Sequence, residues 1–269
     1  MIKELLFTFY VFGNYTKYIP FCVYGIFKSY PNSHIKIFVD GKLKENEKES
    51  LKLFNTDNLE IKENYKLLNE IKGNMKGGNL RIARFIIPYE EFKDFQYVYV
   101  GDIDMLIYKE NPSLLESHIE HMKKIGLPFS NGIRKNSTRL TGLHFFETQP
   151  YFNKMNNIIE RCLSDEEYLY NLTKDCERDE NFLYKIVEIG IGIGNIKNKI
   201  TQDGELYYRP HHGVHLGLFR GNNNNNENWE RVKYILDYFG DDTFNKIIEL
   251  VNITEIVKLK KYDKNNNLL

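Results

Sequence analysis

Apolar and polar positions change period several times along the chain, and the changes mark an alternation of strands and helices. Leu5 to Val11 and His34 to Val39 are continuous apolar or β-branched runs, the pattern of buried strands. Between them, Tyr18 to Tyr30 carries apolar residues at helical spacing, and Pro31-Asn32 marks the turn into the second strand. Asp40-Gly41 ends that strand, a charged helix is predicted over Lys44 to Phe54, and a third strand over Leu59 to Lys62. After Leu67 to Ile71 and a loop from Gly73 to Gly78, a helical segment from Asn79 to Ile87 is stopped by Pro88. Phe95 to Val100 is an aromatic and β-branched strand, followed by Gly101-Asp102-Ile103-Asp104 and a further apolar run, Met105 to Tyr108.

Downstream, Ser113 to Lys124 reads as a helix, Gly142 to Glu147 as a strand, and Tyr151 to Leu163 and Glu180 to Val187 as helices. Gly190, Gly192 and Gly194 alternate, but they do not lie between an N-terminal strand and helix as a dinucleotide fingerprint requires. Asn222 to Asn226 is a polyasparagine loop, and Trp229 to Phe239 and Thr243 to Val257 are predicted amphipathic helices with a basic end at Lys258 to Lys261. Strands alternating with helices predict an α/β protein with a mainly parallel sheet covered on both faces. A chain of 269 residues in this class is expected to form one domain, with residues 221–269 as a helical extension of a core over 1–220.

Composition narrows the function classes. Apolar residues at 42% and charged residues at 28% are globular proportions. Lysine plus arginine equals aspartate plus glutamate at 37 each, so no bulk positive field recruits nucleic acid, and any polyanion must be met locally. Cys22, Cys162 and Cys176 are odd in number and widely spaced, which fits neither a disulfide framework nor a zinc cluster. A reducing, cytoplasmic setting is the expectation. The apolar start is too short to span a bilayer and lacks a basic leader, and the basic C-terminal helix end leaves peripheral membrane contact as an alternative to simple packing.

The candidate chemistry centres on Asp102 and Asp104 at the end of an interior strand. Alternate residues of an extended chain share a face, so the two carboxylates are expected to approach one hard divalent cation, at the place where open α/β sheets put their ligands. A plain solvated turn is the bland alternative, weighed against the apolar runs on both sides of the pair. Arg209-Pro210-His211-His212-Gly213-Val214-His215 places three histidines in five positions, and an imidazole beside two carboxylates suits manganese. A zinc site from His211, His212 and His215 is the alternative.

These motifs and their order resemble the GT-A glycosyltransferases, in particular retaining family 8 and the blood-group-like family 6. The match begins with Arg81-Ile82-Ala83-Arg84-Phe85-Ile86-Ile87-Pro88 ahead of Tyr97-Val98-Tyr99-Val100-Gly101-Asp102-Ile103-Asp104. It continues through Leu140-Thr141-Gly142-Leu143-His144, where the Asn-Ala-Gly pattern of family 8 is absent, to Asp179-Glu180-Asn181 and His215, Gly217 and Arg220. The resemblance implies a GT-A nucleotide-diphospho-sugar transferase fold with a Rossmann-like sheet. It implies transfer of a sugar from a UDP-type donor to a glycan or other hydroxyl, with retention. It implies Mn2+ or Mg2+ on Asp102, Asp104 and His215, with His211 as substitute. Donor contacts are expected from Phe9, Tyr10, Val11, Tyr15, Arg81, Arg84, Asp102, Ile103, Thr141, Gly142, His144, Gly217 and Arg220, and catalytic roles from Glu180 and Asp179. Helix capping is the alternative for both acids. Two rival functions are an idle nucleotide-sugar-binding module and a haloacid dehalogenase-type phosphatase, whose Asp-x-Asp closes the first strand, whereas about a hundred residues precede Asp102.

Overall fold

The computed structural model describes residues 2–68, 79–208, 212–220 and 237–258. A six-stranded sheet runs in the order β3-β2-β1-β4-β7-β6. Its members are β1 (Lys3–Phe12), β2 (His34–Asp40), β3 (Leu59–Lys62), β4 (Phe95–Val100), β6 (Phe129–Ser130) and β7 (His144–Glu147), and a separate pair joins β5 (Met105–Ile107) to β8 (Gly213–His215). The helices are α1 (Ile19–Ser29), α2 (Glu45–Leu51), α3 (Leu114–Ile125), α4 (Thr148–Ser164), α5 (Glu166–Thr173), α6 (Asp179–Gly190), α7 (Lys197–Ile200) and α8 (Asp242–Leu250). The expected mainly parallel sheet flanked by helices is the architecture found.

β1 is central and parallel to both neighbours, with Phe7 opposite Ile35 on β2 and Tyr99 on β4. Its side chains separate with period two: Leu5, Phe7, Phe9 and Val11 enter the core under α1 and α8, and Leu6 and Tyr10 enter the core under α4 and α6. Burial on both faces explains why the run lacks polar alternation. β7 and β6 enter antiparallel, a reversal that apolar runs alone do not signal. α3 starts at Ser113, whose hydroxyl accepts from the Glu116 amide, and ends at Gly126 in the left-handed region.

Three expectations need correction. The segment from Asn79 to Ile87 is a 3-10 helix over Asn79–Phe85. Thr243 to Val257 is not one helix: α8 stops at Leu250 and a helical turn resumes at 254–258. Val251, Ile253 and Ile256 are all buried, and residues two apart on a continuous helix point in widely different directions, so the break turns all three inward. Phe9 and His144, expected at the donor, are core residues instead. Phe9 lies on the β1 face under α1, and His144 is buried, with Nδ1 3.1 Å from Asn131 Nδ2 and Nε2 3.2 Å from the Tyr151 hydroxyl. The Leu67 to Ile71 run lies largely, and the loop from Gly73 to Gly78, His211 and the polyasparagine loop lie wholly, outside the described residues, as does most of Trp229 to Phe239.

Burial pushes the His144 imidazole down to about 3. Below pH 6.5 the unfolded chain takes a proton at this position and the folded chain does not, so stability present above 6.5 is lost as the pH falls towards 3, by about 2 kcal/mol at pH 5. Burial also lowers His118 and His121, with the same sign. Urea midpoints are therefore expected to fall from pH 7.5 to pH 5, and His144→Gln to be less stable at pH 7.5 but to decline less steeply. A variant slope equal to that of the unaltered chain refutes this assignment.

Candidate active site

A cleft of about 580 Å³ opens beyond the carboxyl ends of β1 and β4, within the range of small-molecule sites. Tyr10, Val11 and Tyr15 line it from the end of β1 and the turn after it, Asp102, Ile103 and Asp104 from the end of β4, and Asp179 and Glu180 from the start of α6. Arg81, Arg84, Thr141, Gly142, His215 and Arg220 complete the expected residues found there.

The two aspartates do not continue the strand. Gly101 still donates its amide to the Thr8 carbonyl at 3.1 Å, but the chain then turns, with the Met105 amide on the Asp102 carbonyl at 3.2 Å. Each carboxylate consequently finds its own cation. Asp102 pairs with Arg84, whose second nitrogen reaches Asp179 at 2.5 Å, so one buried guanidinium ties the end of β4 to the first turn of α6. Burial acts to raise the Asp102 carboxyl and the Arg84 guanidinium more than offsets it, leaving its pKa below the ordinary value. Gly142 makes room for this triad, because a Cβ there would lie 2.8 Å from an Arg84 nitrogen.

Asp104 is 4% exposed and accepts from Arg220 at 2.6 Å, with His215 Nε2 at 3.4 Å from its other oxygen. Arg220 also donates to Glu255 at 3.1 Å, to Tyr18 at 3.2 Å and to Tyr15 at 3.1 Å. Burial acts to raise the Glu255 carboxyl, and bonds from Tyr18 and Arg220 bring it below its ordinary value. The His215 Nδ1 atom accepts the Gly217 amide at 3.0 Å, which leaves the ring proton of the neutral form on Nε2, facing Asp104. Gly217 itself lies behind that ring and does not line the cleft; a Cβ there would sit 2.5 Å from the His215 ring. Gly217 therefore shapes His215 and is corrected from a donor contact to a spacer.

Glu180 is held from the other side. Arg134 Nε lies 3.0 Å from both of its oxygens, and Arg139 approaches at 3.5 Å. Arg134 and Arg139 face each other across a short hairpin, where the Arg134 amide bonds the Arg139 carbonyl at 2.9 Å beside the Ile133–Leu140 bridge. Arg178, at the N-cap of α6, also lines the cleft. These three arginines, with Glu255, are absent from the sequence reading: hairpin register and a contact spanning 35 residues leave no local pattern. The capping alternative for Asp179 and Glu180 is too narrow, because both side chains bond arginines rather than their own helix end.

His212 diverges from His215. It is buried against Glu110 at 2.7 Å and Tyr208 at 3.1 Å, edge-on to His118, while His215 faces Asp104. A zinc site joining the two has no support in that arrangement. Among the described residues no three histidine, cysteine or acidic side chains converge in a metal-holding group, since Asp102 turns to Arg84. The donor chemistry nevertheless suits a hard divalent cation, with Asp104 and His215 already side by side and Asp102 on the same cleft. No helix among the described residues is long and apolar enough to cross a membrane.

The sequence matches no family model and no curated protein. Among solved structures, similar shapes belong to glycosyltransferases. The galactosyltransferase LgtC, in complex with donor and acceptor sugar analogs, is 14% identical over 66% of this chain and 69% of its own, with a TM-score of 0.46. The glycosyltransferase GlyE of Streptococcus pneumoniae TIGR4 is 10% identical over 99% of this chain, which spans 64% of GlyE, with a TM-score of 0.47.

Removing Arg84 strands two carboxylates, one of them deeply buried. Arg84→Met is expected to lower the unfolding free energy by about 3 kcal/mol. Without the guanidinium, burial acts to raise the Asp102 carboxyl, so the folded state binds a proton more readily and the deficit shrinks as the pH falls from 8 to 5. Urea unfolding of Arg84→Met at the two pH values checks this, and Arg84→Met with Asp179→Asn is expected to recover part of the loss. An equal deficit at both values contradicts the triad as described.

Proposed function

We propose that this protein is a glycosyltransferase that moves a sugar from a nucleotide diphosphate donor, UDP in particular, to a glycan or other hydroxyl acceptor with retention of configuration. One observation carries the reading: a single cleft at the carboxyl ends of β1 and β4 gathers Asp102, Asp104, His215, Arg84, Arg220, Asp179 and Glu180. A nucleotide sugar needs a cation and basic side chains for its diphosphate and an acid near its anomeric carbon, and this set contains each.

Asp102, Asp104 and His215 would hold Mn2+, or Mg2+. Bound there, the ion neutralises charge that develops on the departing diphosphate. Ligation through His215 Nε2 requires its proton to leave and the Gly217 contact to Nδ1 to open. Arg220 presents a fork suited to two phosphate oxygens, and Arg84 fixes the Asp102 and Asp179 carboxylates. Tyr15 and Tyr10, at the β1 end, offer aromatic faces for the base. Glu180, held by Arg134 beside the cleft, would stabilise positive charge at the anomeric carbon. Glu255 is part of the machinery in this reading, because it shares Arg220 with Asp104.

A binding module without turnover is the second reading, favoured by the arginine partners that both aspartates already have. Thermal-shift measurements with Mn2+ and a panel of nucleotide sugars separate the readings when combined with release of free sugar. A donor at about 100 times its dissociation constant stabilises by about 2.7 kcal/mol, a shift of several degrees. Asp104→Ala is expected to abolish that shift. No shift with any donor removes both readings, and a shift without donor cleavage leaves only the module.

A further inference from the structure

The cleft divides its charge unevenly. Towards Asp102 and Asp104, each arginine serves two carboxylates: Arg84 holds Asp102 and Asp179, and Arg220 holds Asp104 and Glu255. Towards Glu180 the ratio inverts, since one carboxylate faces both Arg134 and Arg139. Arg178 follows two residues before Glu180, exposed, lining the cleft, and without a carboxylate partner among the described residues. A chain with no net charge thus concentrates excess positive charge at one end of this cleft.

That excess is built rather than scattered. The Arg134–Arg139 hairpin sets two like charges opposite one another, an arrangement that is unfavourable unless an anion lies between them. Glu180 answers only part of it, because both of its oxygens already accept from Arg134 Nε. Arg134 and Arg139 remain about 30% exposed, so Glu180 does not seal either side chain from solvent. Guanidinium groups left with spare donors in a concave site match planar or tetrahedral oxyanions.

We infer that Arg134 and Arg178, which line the cleft, with Arg139 behind them on Glu180, form a second anion site that takes the carboxylate or phosphate of an acidic saccharide. The saccharide part of this inference rests on the transferase reading; the anion site does not. The acidic sugar is either the acceptor or the transferred residue of the donor, and the two sources share the same chemistry at these arginines.

Calorimetric titration with two matched pairs tests it: methyl glucuronide against methyl glucoside, and UDP-glucuronate against UDP-glucose with Mn2+. The acid member of at least one pair is expected to bind about tenfold more tightly, as one charge-assisted bond supplies. Preference in the free pair assigns the acceptor, and preference only in the nucleotide pair assigns the donor. Arg178→Glu, with Arg178→Gln as the milder change and circular dichroism confirming the fold, is expected to erase the preference. Equal binding of acid and neutral partners, or a preference that survives Arg178→Glu, overturns the site, and UDP-glucose binding in that case leaves the transferase reading standing. Equal weakening of both nucleotide sugars by Arg178→Glu also overturns it, because the arginine then serves the diphosphate. Acid preference in the free pair without any nucleotide-sugar binding keeps the anion site and removes the transferase reading.

Discussion

The Arg84 guanidinium between Asp102 and Asp179 is the contact on which the rest of the site depends. It joins three segments separate in sequence: the 3-10 helix before β4, the turn after β4, and the start of α6. A buried charge without a partner is far more costly than a pair, so displacing any one of the three strands a charge. The triad also sets the direction of its neighbours. With Asp179 drawn to Arg84, the next side chain, Glu180, points to Arg134, and the hairpin carrying Arg134 and Arg139 is thereby fixed against α6.

Most of the sheet was legible because its central strands, β1, β2 and β4, are runs of largely apolar residues with buried interiors. Phe95 to Val100 and Leu59 to Lys62 have the bounds expected, and β1 differs only at its ends. Asp102 and Asp104 were legible for the same reason, as charge at the edge of an apolar run stands out. The helical pattern over Thr243 to Val257 was misleading because spacing registers which residues are apolar but not where the backbone breaks to bury Val251, Ile253 and Ile256 together. Phe9 failed as a donor contact for a more specific reason: it alternates with Tyr10 on β1, and the parallel register sends it under α1.

The arginines around Glu180 were hidden because their meaning is relational. Arg134 and Arg139 are unremarkable in a polar stretch until the Ile133–Leu140 bridge sets them side by side, and Glu180 lies 46 residues beyond Arg134. Glu255 lies in a region that the resemblance did not cover, yet it shares Arg220 with Asp104. The histidine cluster shows the same limit from the other side. His212 and His215 are three residues apart, and their distinct surroundings follow from the pairing of β8 with β5, which proximity in sequence does not encode.

These pairings bear on how a site with so much charge can fold without a ligand. Each aspartate of the Asp-x-Asp pair is paired internally, Asp102 with Arg84 and Asp104 with Arg220, so neither is left as an isolated anion. On the proposed reading, a donor and its cation together would bring both signs: Asp104 would turn from Arg220 to a cation held with Asp102 and His215, and Arg220 would turn from a carboxylate to phosphate. Partners are swapped rather than created, which keeps the desolvation penalty of binding small compared with inserting a lone diphosphate into an apolar pocket. The exchange is least available at Arg84, which is the most buried of the site's arginines and has two carboxylates to satisfy, and most available at Arg220, whose side chain is 36% exposed. That difference assigns Arg84 to holding the architecture and leaves Arg220 as the residue free to change partners.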